Sequence, residues 1–326
     1  MSAEDRAPLS VRMRPAISRT AAKVRRQVAR VDNPEVRKAR TLVRRARRSP
    51  GEIVALGDSM VSWIAPYDTD RRPFHQMLRE SFGSDTPMHV VHGGSYNPPL
   101  YNQYLRLLEG HPPPSLVILP LTPRVRTLPW IEHPAHGHQQ AIRFLSSLDA
   151  GTPPRRIRKG FGPVAAEEFA RFYALRFPTW AGDLTIGDYV HPLKQDRLDE
   201  EEAATLLYAY HHGGEIVPGE PLDMVRELGA RLRALGVPVI VYQTPVPVEK
   251  GVELHGPAFR ELAERNFTTL EDAFVSGYGD IEILRTGLDV PTSHFIDWRD
   301  GSEHLNQHGR STIATAVVDA AKALRA

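Results

Sequence analysis

The chain has 326 residues, 41% of them hydrophobic and 25% charged, enough for one large domain or two ordinary ones with a sizeable core. It contains no cysteine, which excludes disulfides, thiolate nucleophiles and cysteine-ligated metals and fits a reducing compartment. The net charge of +2 conceals an asymmetry: residues 1–50 hold 15 of the 41 Lys/Arg but 4 of the 39 Asp/Glu, a net of +11, against −9 for the remainder.

Residues 1–50 read as a mobile start followed by one or two basic helices. Ile17, Ala21, Val24, Val28 and Val31 fall on one helical face. Asn33 is placed as an N-cap before Pro34 and Glu35; Val36, Leu42 and Val43 supply the apolar side of the next helix, and Ser49-Pro50-Gly51 ends it. The stripe is thin and lacks aromatics, so the segment reads as a helical extension packed on the acidic body with its arginines in solvent. The alternative is an anionic partner, a polymer or a membrane surface. No stretch has the form of a signal peptide or a transmembrane span, no specific nucleic-acid motif is present, and cytoplasmic residence is expected.

From Gly51 short apolar runs alternate with helical patterns. Expected strands are Ile53–Leu56, Met88–Val91, Leu116–Leu119, Val237–Tyr242 and His294–Ile296, with helices over Phe74–Glu80, Leu100–Leu108 and Leu222–Leu235 between them. Continuous apolar strands separated by helices imply a mostly parallel sheet covered on both faces. The rhythm breaks from about 123 to 219, a region read as a helical insertion over one end of the sheet, with Phe161, Phe169, Phe172, Tyr173, Phe177 and Trp180 as its own small core or a substrate lid.

Two blocks carry chemistry. Gly57-Asp58-Ser59 follows the first strand and precedes Met60–Ile64, which reads as a helix start, so the serine hydroxyl is expected at the carboxyl edge of the sheet. Asp300-Gly301-Ser302-Glu303-His304-Leu305-Asn306 lies between the last strand and an apolar C-terminal helix, Ile313–Leu324. A histidine there reaches back to a serine at the same edge, and the pair suits acyl transfer.

Together these blocks resemble the SGNH (GDSL-type) hydrolases over roughly residues 51–326, less the insertion. The resemblance implies a flavodoxin-like α/β/α domain with a five-stranded sheet, Ser59 as nucleophile and oxyanion donor, His304 as general base and no cofactor. It further implies esters of small acyl groups, most plausibly O-acetyl groups on a carbohydrate. In His92-Gly93-Gly94-Ser95-Tyr96-Asn97, Gly94 matches the family's second oxyanion donor, with Gly93 beside it and Asn97 closing the block. Where the family has Gly-x-Asn-Asp, this chain has Pro120-Leu121-Thr122-Pro123-Arg124. Thr122 offers a hydroxyl and Arg124 a cation in place of the amide, and loss of one such donor costs about 10²–10³ in rate elsewhere. The family's aspartate lies three residues before the histidine, where this chain has Gly301; Asp300, four before, is the expected partner of His304, ahead of Glu303 and Asp297. Asp58 accompanies Ser59 in the first block.

His133, His136 and His138 lie in a proline-glycine loop and His211-His212-Gly213-Gly214-Glu215 forms another. Without an ordered scaffold or an evident carboxylate ligand neither is read as a zinc site, and His111, His255 and His294 read as loop or packing residues. Gln243 and Thr244 read as a strand end. Two other classes stay open: a catalytically impaired SGNH-fold binding protein, and a scaffold bound to an anionic partner through residues 1–50.

Overall fold

The computed structural model describes residues 34–83, 85–127, 138–152, 199–299 and 301–324. The helical face expected between Ile17 and Val31, the aromatic cluster Phe161–Trp180, His133, His136 and Asp300 lie outside them.

Five parallel strands form one sheet: β1 Ile53–Gly57, β2 Met88–His92, β3 Leu116–Leu121, β4 Val239–Gln243 and β5 Ile283–Leu284, in the order β2-β1-β3-β4-β5. Because side chains alternate along a strand, β1 sends Val54 and Leu56 into one core and Ile53 and Ala55 into another. The first core lies under α1 (Pro34–Arg48), α3 (Pro98–Arg106), α6 (Glu220–Leu235) and α8 (Ala258–Tyr278). The second lies under α2 (Phe74–Phe82) and α9 (Gln307–Ala323). The result is three layers, helices on both faces of a parallel sheet. The remaining described helices are α4 (Gln139–Ser146), α5 (Glu200–His212) and α7 (Val248–His255), so the described parts of the insertion are largely helical.

Helix α1 belongs to the body. Ala39, Leu42 and Val43 are buried in the first core, and Arg45 Nε donates to both oxygens of the buried Glu52 carboxylate, at 2.9 and 3.0 Å, with Nη2 donating to it as well. From Pro34 onward the basic segment is thus packed on the body. Arg37, Arg44, Arg47 and Arg48 remain exposed.

Two further expectations are corrected. His294–Ile296 does not join the sheet: its backbone pairs with the histidine loop, through Ile296 N to His304 O at 2.8 Å and Asn306 N to His294 O at 3.0 Å. The edge beside β4 is taken by β5, two residues long and too short to show a period. Met60–Ile64 is also not a helix; a single 3₁₀ turn, Ser59–Val61, is followed by Pro66 and by an Ala65 N–H donating to Asp68 (2.9 Å). The long helix α8 packs on α6 backbone to backbone. A methyl on Gly229 would stand 2.5 Å from Phe274 O, and one on Gly277 would meet Arg226 O.

One buried ion pair joins the start of the fold to its end. Arg310, in the first turn of α9, donates to Asp68 Oδ2 (2.7 Å) and to the carbonyls of Leu305, Asp70 and Arg72. Asp68 also accepts from the backbone N–H of Ala65 and Gln307. Both side chains are essentially inaccessible, at 0% and 1% exposure. Removing one partner strands the other without solvent. Arg310→Met is expected to cost about 3–5 kcal/mol, a large share of the roughly 5–15 kcal/mol that holds a domain folded, read as a lower urea midpoint.

Candidate active site

The candidate site sits at the carboxyl edge of the sheet between β1 and β3, where the strand order reverses and open α/β sheets bind ligands. Asp58 turns the chain after β1: its buried carboxylate accepts from Met60 N (2.9 Å) and closes the 3₁₀ turn that presents Ser59. Burial raises the Asp58 pKa, against the opposing pull of the Arg124 cation. The Ser59 Oγ lies 2.9 Å from His304 Nε2, and both residues are partly exposed.

His304 is gripped on several sides. Its backbone carbonyl is fixed by Ile296, Trp63 stacks on the imidazole (ring centroids 4.4 Å apart, planes within 7°), and Nδ1 lies 3.1 Å from Ser302 Oγ. When Nε2 accepts the Ser59 proton, Nδ1 carries the hydrogen and donates to Ser302. Among the described acids, none is placed on Nδ1. Glu303 turns away to pair with Arg124 (2.7 Å), both side chains buried, and Asp297 bonds the backbone and side chain of Arg299. Burial, with the Arg124 cation nearby, holds the His304 imidazole well below the usual histidine range.

The remaining expected residues divide. Register pairs Gly57 with His92, so the loop carrying Gly94 leaves the sheet beside Asp58-Ser59. Gly94 O accepts from His138 Nε2 (3.0 Å), Ser95 adopts a left-handed φ of 56°, and the Tyr96 ring presses on Gly93 so closely that a side chain there would collide. The Tyr96 hydroxyl is anchored to α1 through Glu35 and Lys38. Asn97 caps α3, accepting from Leu100 N (3.2 Å). Thr122 is buried, its hydroxyl shared between Thr244 Oγ1 (2.7 Å) and Asp58 Oδ2 (3.4 Å). Its one proton is thus used inside the fold. Arg124 is buried between Glu303 and His211. Neither Thr122 nor Arg124 replaces the missing amide, and Asp58, Asn97 and Arg124 serve as supports behind the site.

Sequence reasoning missed Ser302, Trp63 and the Asp68–Arg310 pair. Ser302 lay in view two residues before the histidine, but its contact depends on the loop's backbone. Trp63, 51% exposed, is one of few large apolar side chains left in solvent among the described residues. Among the described residues no cluster of histidine and acidic side chains has a metal-binding arrangement, and no helix is long and apolar enough to cross a membrane. The chain matches no model of a known protein family and no curated protein.

Burial pushes His89 and His92 down to about 4, and His212 and His304 to about 3. These rings stay neutral in the native state, while an unfolded chain takes up protons below about 6.5. Their contribution to stability is complete above that value and is lost progressively as the pH falls toward 4. Calorimetry should show Tm falling as pH is lowered from about 6.5, with a flatter slope in His89→Leu.

Proposed function

We propose that this protein is a serine-dependent esterase or O-acyltransferase of the SGNH (GDSL-type) kind. The observation that carries the reading is the 2.9 Å contact between Ser59 Oγ and His304 Nε2, two residues 245 positions apart that meet at the carboxyl edge of a parallel sheet. The strand order β2-β1-β3-β4-β5 is that of flavodoxin-like doubly wound folds, which supports the fold the family requires.

In this mechanism His304 Nε2 takes the Ser59 proton as Oγ attacks the ester carbonyl. The oxyanion receives the N–H groups of Ser59 and Gly94. The tetrahedral adduct expels the alcohol, which leaves with the proton from Nε2, and an acyl-serine remains. Water, or a second alcohol, then gives its proton to His304 and attacks the acyl carbon; the proton returns to Ser59 as the product departs. No cofactor takes part. Small O-acyl esters, of a carbohydrate above all, are the substrate class, and the cysteine-free composition accords with the cytoplasm.

A second reading, an SGNH-fold protein that binds without turnover, is favoured by the internal commitment of Thr122 and Arg124 and by a neutral hydroxyl on His304 Nδ1. A hydroxyl orients the ring but does little to stabilise the imidazolium that a carboxylate would. An anionic partner for the exposed arginines of α1 is compatible with either reading. Its test is substitution of Arg37, Arg44, Arg47 and Arg48 by Gln, because deleting residues 1–50 would remove core residues.

The deciding experiment is labelling by a fluorophosphonate alongside p-nitrophenyl acetate hydrolysis. Wild type is expected to label and turn over, and Ser59→Ala to lose activity by on the order of 10⁴-fold or more. Equal activity in both would remove Ser59 from the mechanism; a wild type that neither labels nor turns over would leave the binding protein. The depressed His304 pKa keeps its base form populated in mild acid, so kcat/KM is expected to stay level from about pH 8 to about pH 5. An ordinary imidazole would lose activity near 6.5.

A further inference from the structure

The paired histidines at the end of α5 find their use at this edge of the sheet. Tyr208, His211 and His212 stand three and four residues apart, on one side of the helix. All three are buried. Each meets the segment Gly301–His304 or its support. A methyl on Gly301 would lie 2.8 Å from the Tyr208 ring, and Gly301 has a left-handed φ of 62°, so the loop backbone lies directly against α5.

His212 Nε2 is 2.7 Å from Gly301 O. A carbonyl only accepts, so Nε2 carries the hydrogen. Arg124 Nη1 lies 3.1 Å from His211 Nδ1, and a guanidinium only donates, so His211 accepts there. Arg124 Nη2 then reaches Glu303 Oε2 at 2.7 Å. Two points of the loop are held in this way, the carbonyl of Gly301 and the carboxylate of Glu303. Ser302 lies between them, with its Oγ on His304 Nδ1.

We infer that α5 is a positioning clamp for the general base. His212, together with the His211–Arg124–Glu303 chain, sets the loop so that Ser302 meets Nδ1 and Nε2 faces Ser59. The clamp rests on the Ser59–His304 reading for its catalytic consequence. It assigns His211 and His212 a role as positioning residues, and it makes the last helix of the insertion part of what aligns the site. Neither histidine touches substrate.

The test uses the full chain with His212→Ala, His212→Gln and Glu303→Gln. Gln keeps an N–H donor near the Nε2 position; Ala removes it. With p-nitrophenyl acetate, His212→Ala is expected to lower kcat by up to about 10²-fold, the effect of a misplacement near 1 Å, with KM little changed. His212→Gln should recover most of the loss. The second readout is the His304 imidazole ¹H–¹⁵N signal, assigned by its disappearance in His304→Ala. It should shift or broaden in His212→Ala and return toward wild type in His212→Gln. Should His212→Ala fail to fold, Glu303→Gln carries the same expectation for kcat and for the His304 signal. Wild-type kcat with an unmoved His304 signal in the folded variants would overturn the clamp, as would equal losses in Ala and Gln with that signal unmoved. If wild type shows no Ser59-dependent turnover, the esterase reading fails and the His304 signal alone decides the clamp.

Discussion

The Asp68–Arg310 pair is the joint on which the rest of the site depends. The chain after Ser59 leaves the sheet, makes one 3₁₀ turn and runs irregularly to Arg72 before α2 begins. The chain after His304 turns into α9. Arg310 holds three carbonyls from these two stretches, and Asp68 accepts N–H groups from both. Loops without secondary structure carry backbone groups that must be satisfied on burial. Here one arginine and one aspartate satisfy five of them, and the same bonds tie the stretch after Ser59 to the stretch after His304. Such a pair gives little net stability over an apolar replacement of the same shape, but loss of either half is costly.

Behind the reacting groups lies a second polar layer. Asp58, Thr122 and Thr244 form one chain of hydrogen bonds, and Glu303, Arg124 and His211 form another. Buried polar groups of this kind are stable only when partnered, and partnership fixes their geometry. The cost falls on chemistry. Burial, with an arginine nearby, lowers the basicity of His304, and a threonine committed to Asp58 has no proton left for an oxyanion. Under the proposed esterase reading, these features favour a slow or highly selective enzyme over a broad one, since precise placement then has to supply what electrostatics do not.

Legibility in the sequence followed burial. Strands β1, β3 and β4 were readable because each is a run buried throughout, β2 from its shorter run with Val90 and Val91, and α6 because its apolar residues repeat at helical spacing. Strand β5 escaped notice: two half-buried residues carry no period, and His294–Ile296 has the composition of a strand but begins in a 3₁₀ turn and pairs with a loop. α1 was legible as a helix packed on the body from the apolar side formed by Val36, Leu42 and Val43, and these residues with Ala39 are buried. The Ser59 and His304 blocks were legible through their resemblance to the end blocks of the SGNH hydrolases, one directly after an apolar strand and the other directly before the last helix.

By itself the sequence determined a parallel α/β layering and the residue types at the two ends of that layering, since both follow from local period and turn chemistry. The tertiary structure alone decided which groups surround them. Ser302 rather than a described carboxylate meets Nδ1, Trp63 covers the imidazole, Thr122 and Arg124 face inward, and the histidines of α5 grip the loop. Each of these contacts joins residues from separate elements or depends on the path of a loop, and its partner is chosen by the angle and depth at which those segments pack. Spacing along a chain carries no record of that choice.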